Sequence, residues 1–240
     1  MSAIVILVNT FSIIIPVYNE QDNIYNLILE IKKELSNLYK YEIIIVDDSS
    51  TDQTQSTLAK LNKEFSVNII LNKINEGQSK SILNGIMHAK NDIIITIDGD
   101  GQNNPRDIKN LINTFLTKKY DLVAGIRKKR KDNYIKKISS KIANYIRAKY
   151  LDDNCSDTGC ALKIFNKEIF LEFPFFDGIH RFLPALFRGF GYKIFFVDVD
   201  HRFRMSGKSK YGTINRLFKG IKDMFYVKKL IKLKSTKIRK

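Results

Sequence analysis

Asp98 and Asp100 stand two residues apart in Asp98-Gly-Asp-Gly-Gln102, directly after the apolar run Asp92-Ile-Ile-Ile-Thr-Ile97. Residues i and i+2 of an extended segment point the same way, so the two carboxylates could share one divalent cation. Gly99 and Gly101 let the backbone turn sharply and let a ligand approach closely. Carboxylate, amide and water oxygens suit Mg²⁺ or Mn²⁺, and these ions suit a diphosphate. The same residues also read as a solvated turn, and the pentapeptide alone leaves both readings open.

The elements that must position this loop decide more. Ser12–Val17 reads as a β-branched strand, followed by Ile24, Leu27, Ile28, Ile31, Leu35 and Leu38 at helical spacing. Glu42–Val46 is a second buried strand, ended by Asp47-Asp48-Ser-Ser-Thr-Asp52, a loop rich in helix-capping residues. A helix through Leu58 and Leu61, the strand Val67–Leu71, the loop Asn72–Gln78 and a helix through Ile82, Leu83, Ile86 and Met87 follow. After the strand Asp92–Ile97, Pro105 sits where a first helical turn begins, and Ile108, Leu111, Ile112, Phe115 and Leu116 form that helix's apolar face. Asp121–Ala124 closes the pattern. Strands alternating with helices predict a mostly parallel α/β sheet with helices on both faces. In such sheets ligands bind outside the carboxyl ends of the strands. Tyr18-Asn19-Glu20, Asp47-Asp48 and Asp98–Gln102 all fall there, which favours the metal reading. The usual dinucleotide and P-loop glycine fingerprints are missing.

The second half is less regular. Tyr134–Leu151 is amphipathic, Thr158–Phe165 and Lys193–Val199 read as strands, and a helix is expected near Arg181–Arg188. Thr213–Leu233 is again amphipathic, with Ile214, Leu217, Phe218, Ile221, Met224, Phe225 and Ile231 on one face. The formal net charge of +16 on 240 residues gathers in this half. Arg127–Lys149 holds one acid, Asp132, and Arg202–Lys240 holds one, Asp223. Such blocks suit a polyanionic partner: a membrane surface, nucleic acid or phosphate groups. No apolar stretch approaches the ~18–20 residues that span a bilayer, and no cleavable leader pattern opens the chain. A protein lying on the cytoplasmic face of a membrane, without a transmembrane helix, is therefore expected. Cys155 and Cys160 have poor spacing for zinc and are expected to be reduced thiols.

Several stretches together resemble a known family. Ser12-Ile-Ile-Ile-Pro-Val-Tyr-Asn-Glu20, Val46–Asp52, Asn75-Glu-Gly77 and Asp98–Gln102 are similar to family 2 glycosyltransferases of the GT-A fold. Gly125–Asp132, Asp157-Thr-Gly-Cys-Ala-Leu-Lys163, His180–Leu186 and His201–Gly212 resemble bacterial polyprenyl-phosphate glycosyltransferases, relatives of dolichol-phosphate mannosyltransferase. The resemblance spans Ser12 to Leu230. It implies a nucleotide-sugar donor held by Pro16, Tyr18, Glu20, Val46, Asp48, Gly77 and Gly99. It implies a Mg²⁺ or Mn²⁺ and diphosphate site at Asp98, Asp100 and Gln102. It further implies a phosphate contact at Arg127 and a basic pair at Arg204 and Lys210, with Asp157 as a further candidate catalytic group.

Acceptor chemistry then separates two cases. A sugar hydroxyl needs a carboxylate base, and hydroxyl-acceptor relatives carry a Glu-Asp pair before a helix of the second half. Gly178-Ile-His-Arg-Phe182 has no carboxylate there beyond Asp177. A lipid monophosphate, with a second pKa of ~6, needs no base; it needs cations, and Arg127, Arg130, His180, Arg181 and Arg202 are at hand. Polyprenyl phosphate is thus the expected acceptor. Plainer roles stand beside these. Asp47 and Asp48 also fit helix capping, His180 fits a structural histidine, and Asp157 fits an ion-pair partner of an arginine. Thr213–Leu233 fits packing on the domain as well as an interfacial helix. The expected organisation is a GT-A domain over 1–205, with its nucleotide-sugar half at 10–125 and its acceptor half at 126–205. A basic amphipathic membrane-associating tail at 206–240 follows. A hydroxyl-acceptor transferase is the nearest rival; a catalytically silent membrane adaptor and an RNA-binding module lie further off, the latter without a recognised RNA motif.

Overall fold

β1, Thr10–Val17, is buried along nearly its whole length and lies inside the sheet. That explains its unbroken apolar run: a strand covered on both faces has no polar side to alternate with. The computed structural model describes residues 10–36, 38–128, 145–203 and 213–238, with side chains of the last stretch described over 219–234. Arg130, Arg204 and Lys210 lie outside the described residues, as does the amphipathic stretch before residue 145.

The strands are β1, β2 (Lys40–Asp47), β3 (Asn68–Leu71), β4 (Ile93–Thr96), β5 (Leu122–Arg127), β6 (Lys163–Asn166) and β7 (Ile194–Val199). They form one seven-stranded sheet in the order β3-β2-β1-β4-β6-β5-β7. Every pairing is parallel except those of β6, which runs against both β4 and β5. Helices α1 (Ile24–Leu35), α2 (Thr54–Phe65), α3 (Gln78–His88) and α4 (Asp107–Lys118) connect the first five strands. The second half adds α5 (residues 145–151), α6 (Lys167–Leu171), a 3-10 turn at Ile179–Arg181, α7 (Leu183–Gly189) and α8 (Thr213–Ile238).

Alternation along each strand divides the core in two. Phe11, Ile13, Ile15 and Val17 of β1 face α1, α2 and α4 through Leu27, Ile31, Leu58, Leu61, Leu111 and Ile112. Ile14, Ile44, Val46 and Ile94 face the other way, toward Ile82 and Ile86 of α3 and the aromatic-rich α6–α7 region. α1 follows its expected spacing but stops at Leu35, and Leu38 is exposed beyond it. The strand expected at Thr158–Phe165 starts only at Lys163, because residues 157–162 form a turn whose groups bond inward. Thr96 Oγ1 there donates to Ala161 O at 2.7 Å.

α8 packs on the second core through Val227, Met224, Leu230 and Ile231. Ion pairs Arg181–Asp223 (3.2 Å), Lys219–Asp177 and Lys234–Glu172 (3.4 Å) fasten it. Its apolar stripe is therefore divided: Met224 and Ile231 turn inward, whereas Ile221 and Phe225 remain exposed. No helix among the described residues is long and apolar enough to cross a membrane.

Candidate active site

Asp98 and Asp100 emerge at the carboxyl end of β4, between β1 and β6. They do not share an extended strand, as the spacing suggested. β4 ends at Thr96, and residues 99–100 form a turn in which Asp100 Oδ1 accepts from the backbone N of Gln102 at 3.1 Å. The loop sits tightly over β1. A Cβ on Gly99 would lie 2.6 Å from Val17 Cγ1 and 3.3 Å from the Pro16 carbonyl, so only glycine fits without displacement. Burial, and then the charge of Asp100, push the Asp98 carboxyl up to about 7, while Lys163 and Arg127 pull it back. The Asp100 carboxylate thus opposes ionisation of Asp98, an opposition that a divalent cation between them would relieve.

Asp98 Oδ1 accepts from Gln78 Nε2 at 2.7 Å. Gln78 opens α3, whose amino end carries the partial positive charge of unpaired N–H groups. Behind it runs a small cleft, with room for about one water, lined by Pro16, Gln78, Asp98, Lys163 and His180 and walled by Ile82 and Leu183. Neither Gln78 nor Lys163 was singled out by sequence. Gln78 directly follows Asn-Glu-Gly and could have been suspected; Lys163 reads as an ordinary charge at a strand end.

The other expected donor residues form a second layer. Asp48 is buried and holds the loop ahead of α3: it accepts from Asn72 Nδ2 (2.8 Å) and from the backbone N of Glu76 (2.9 Å) and Gly77 (2.8 Å). Asp47 is engaged by Ser50 and, at 2.9 Å, by Gln55 Nε2. Glu20 is buried and accepts from Asn23 Nδ2 at 2.8 Å, while its carbonyl accepts from the first turn of α1. Tyr18 is half-buried at the end of β1. Val46 is fully buried in the second core, in the cluster of Ile14 and Ile86.

Among the described residues, the side chains expected at an acceptor phosphate are not gathered into one cluster. Arg127 grips Asp157 through two hydrogen bonds, Nε to Oδ2 at 2.6 Å and Nη2 to Oδ1 at 2.7 Å. Burial opposes its charge, but Asp157 outweighs burial and raises the guanidinium pKa above its ordinary value. His180 Nδ1 lies 2.7 Å from Ser79 Oγ, and Gly178 N donates to the same hydroxyl at 2.8 Å. Arg181 reaches Asp223 of α8. Arg202 is directed to Glu30 Oε2 (2.6 Å) and Asn104 Oδ1 (2.7 Å), beside α1 and away from His180. Its backbone, however, is fixed to the metal-type loop: Arg202 N donates to Gln102 O at 2.9 Å, and Asn103 bridges His201. His201 and Arg202 thus run along the edge of the Asp98 loop. The Gln102 side chain is within 3.5 Å of the Arg202 carbonyl through Nε2.

Among the described residues no three His, Cys, Asp or Glu side chains converge as a protein-only metal cage. The pair Asp98–Asp100 nevertheless fits Mg²⁺ or Mn²⁺, which take one or two carboxylates and complete their shells with water and substrate phosphate.

The family model described as glycosyl transferase family 2 matches residues 12–173. The chain belongs to this family. Over 222 residues, 90% of the chain, it is 34% identical to a dodecaprenyl-phosphate galacturonate synthase of Rhizobium johnstonii, covering 65% of that protein. Over 208 residues, 85% of the chain, it is 33% identical to an undecaprenyl-phosphate 4-deoxy-4-formamido-L-arabinose transferase of Shewanella sediminis, covering 62% of it. The chain thus spans just under two thirds of the length of these family 2 relatives. The fold is similar to that of glucosyl-3-phosphoglycerate synthase from Mycobacterium tuberculosis, solved with Mg²⁺ and UDP. The TM-score there is 0.67 at 18% identity, over 83% of this chain and 73% of that one.

Proposed function

We propose that this family 2 protein moves one sugar from a nucleotide-sugar, UDP- or GDP-linked, to polyprenyl phosphate. The observation that carries this reading is the make-up of the cleft. Asp98 is the one carboxylate among the described residues lining it, and the other polar groups there are Gln78, Thr96, Lys163 and His180. Asp177, the remaining candidate base, is exposed and paired with Lys219. Among the described residues of the cleft an acceptor hydroxyl would meet no carboxylate but the metal-type Asp98; a phosphate oxygen needs no base. The names of the two curated relatives point to the same acceptor class.

In this reading a phosphate oxygen of the acceptor attacks the anomeric carbon of the sugar. The bond from that carbon to the donor's diphosphate oxygen breaks, its electron pair stays on the diphosphate, and the configuration inverts. Asp98 and Asp100, with Gln102 beside them, would hold the Mg²⁺ or Mn²⁺, which when bound supplies Lewis acidity toward the departing diphosphate. Arg127, fixed by Asp157, and the basic pair Arg204 and Lys210 provide positive charge where the leaving group and the acceptor phosphate accumulate negative charge. Of the other residues expected on the acceptor side, His180 lines the cleft, whereas Arg181 and Arg202 are engaged by Asp223 and by Glu30. Asp48 and Gly77 shape the loop on the nucleoside side.

The lipid acceptor places the protein on a membrane, at its cytoplasmic face. Supporting this are the exposed Tyr145, Ile146 and Tyr150 of α5 and the exposed Ile221, Phe225 and Leu233 of α8. Lysines flank them, with Lys228 over the Tyr150 ring at 5.5 Å. Aromatic and basic side chains in this mixture suit an anionic lipid surface. The test is transfer of radiolabelled sugar from UDP- and GDP-sugars to undecaprenyl phosphate with Mn²⁺. Product with the lipid phosphate is expected; product with a sugar hydroxyl alone would overturn the acceptor assignment.

A further inference from the structure

Lys163 is a buried lysine without an ion pair. It opens β6 in the middle of the sheet, is 3% exposed, and donates to the Cys160 carbonyl. No carboxylate among the described residues lies within salt-bridge distance of its ammonium. The neighbouring Cys160 does not serve as a counter-ion, because burial raises its thiol pKa and keeps it protonated. A buried cation is costly unless something anionic completes it. Only one of the three ammonium protons is engaged, and the side chain lines the cleft beside Asp98, Gln78 and His180.

Its place in the sheet says which part of a ligand it would meet. Asp48 lies at the end of β2, Tyr18 at the end of β1 and Asp98 at the end of β4. Lys163, paired in register with Thr96, stands on the next strand. A nucleotide-sugar laid across these ends, nucleoside over β2 and β1 and diphosphate over β4, brings its sugar-bearing phosphate toward β6. The Lys163 ammonium also acts on Asp98 through space. Thr96 Oγ1 bonds the Ala161 carbonyl and Asn103 Nδ2 approaches Cys160 Sγ (3.8 Å), so the turn that aims Lys163 is fixed from both sides.

We infer that Lys163 is a donor-site residue: its side-chain amine binds the donor's diphosphate at the sugar end, beside the exchangeable metal ion. This rests on the nucleotide-sugar reading above. As the bond between the anomeric carbon and the phosphate oxygen breaks, the electron pair left on that oxygen falls beside a fixed positive charge.

The test is calorimetric binding of UDP and GDP with Mn²⁺, and of uridine and guanosine, to the full chain and to its Lys163→Met and Lys163→Arg variants. Thermal melting is recorded for each. A charge-assisted bond predicts that Lys163→Met weakens nucleoside diphosphate binding about 10- to 100-fold. Nucleoside binding should change less than about two-fold, and Lys163→Arg should recover most of the loss. A purely structural lysine would lower nucleoside and diphosphate affinity together, and that result, or unchanged diphosphate binding in Lys163→Met, overturns the inference. If the unmodified chain binds neither diphosphate, the donor reading itself fails and this inference with it.

Discussion

Arg127 and Asp157 meet side-on, as two parallel N–H···O bonds of 2.6 and 2.7 Å, and the Arg127 backbone N adds a third contact to Oδ2 at 3.2 Å. The pair joins the last residue of β5 to the turn ahead of β6, and it is largely buried, with side-chain exposures of 13% and 5%. Removing Asp157 takes this carboxylate away from a largely buried guanidinium. Asp157→Ala is therefore expected to cost about 3–5 kcal/mol of stability. Arg127→Met with Asp157→Leu should cost markedly less than the sum of the singles. Urea denaturation of the four proteins checks this; additive losses would show that the pair is not coupled.

Asp98 gives a pH signature to the metal-free protein. Its carboxyl is raised to about 7 in the folded chain, against about 3.9 unfolded. Between these values the folded state holds the extra proton, so stability should fall as pH rises from about 4 to about 7 and level off above. Asp98→Asn should remove that contribution. Denaturation midpoints in chelator across this range, compared for the two proteins, measure it. Saturating Mn²⁺ should flatten the slope, since the ion binds the deprotonated carboxylate.

Gly99 tests how tightly the loop is seated. Gly99→Ala places a methyl 2.6 Å from Val17 Cγ1, and an overpacking cost of about 1–3 kcal/mol is expected. Val17→Ala in the same chain removes the obstructing methyl and should restore part of the loss in melting temperature and in donor binding. The Pro16 carbonyl, at 3.3 Å, prevents complete rescue.

The exposed aromatic groups of α5 and α8 separate lipid attachment from donor binding. Phe225→Ser together with Tyr145→Ser should reduce sedimentation with phosphatidylglycerol vesicles several-fold. UDP affinity should stay unchanged, because neither residue lines the cleft. Unaltered sedimentation would remove this face from the membrane proposal.

How far residues announce their roles depends on how local those roles are. The β1 run Ser12–Val17 and the α1 stripe follow from period and burial, so both were legible, and so was the placement of Asp48 and Asp98 at strand ends. Asp157 was readable as an arginine partner from its charge, but its choice of Arg127 requires β5 and β6 to be neighbours. Arg202 looked available for an acceptor phosphate; the fold turns it instead to Glu30, 172 residues away in sequence. Lys163 closes a motif of the resemblance, but its role went unread for the converse reason. Its character comes from what surrounds it, and no spacing records that β6 runs antiparallel into the centre of the sheet. Val227, fully buried in α8, was missed because the helix has two apolar flanks and only tertiary packing says which one turns inward.

Gly178 lies beneath α8 so closely that a Cβ there would sit 2.6 Å from Asp223 Oδ2, and its φ of +118° belongs to glycine. Two residues later comes His180, at the cleft. α8 and the loop at the cleft are therefore fitted to each other, and a side chain at residue 178 would require Asp223 to move. A recombinant fragment ending before α8 would lose its cover over Phe176, Phe182 and Leu183 and would be expected to aggregate. Any displacement of α8 would therefore be felt first at the floor of the cleft, through Gly178 and the turn that carries His180.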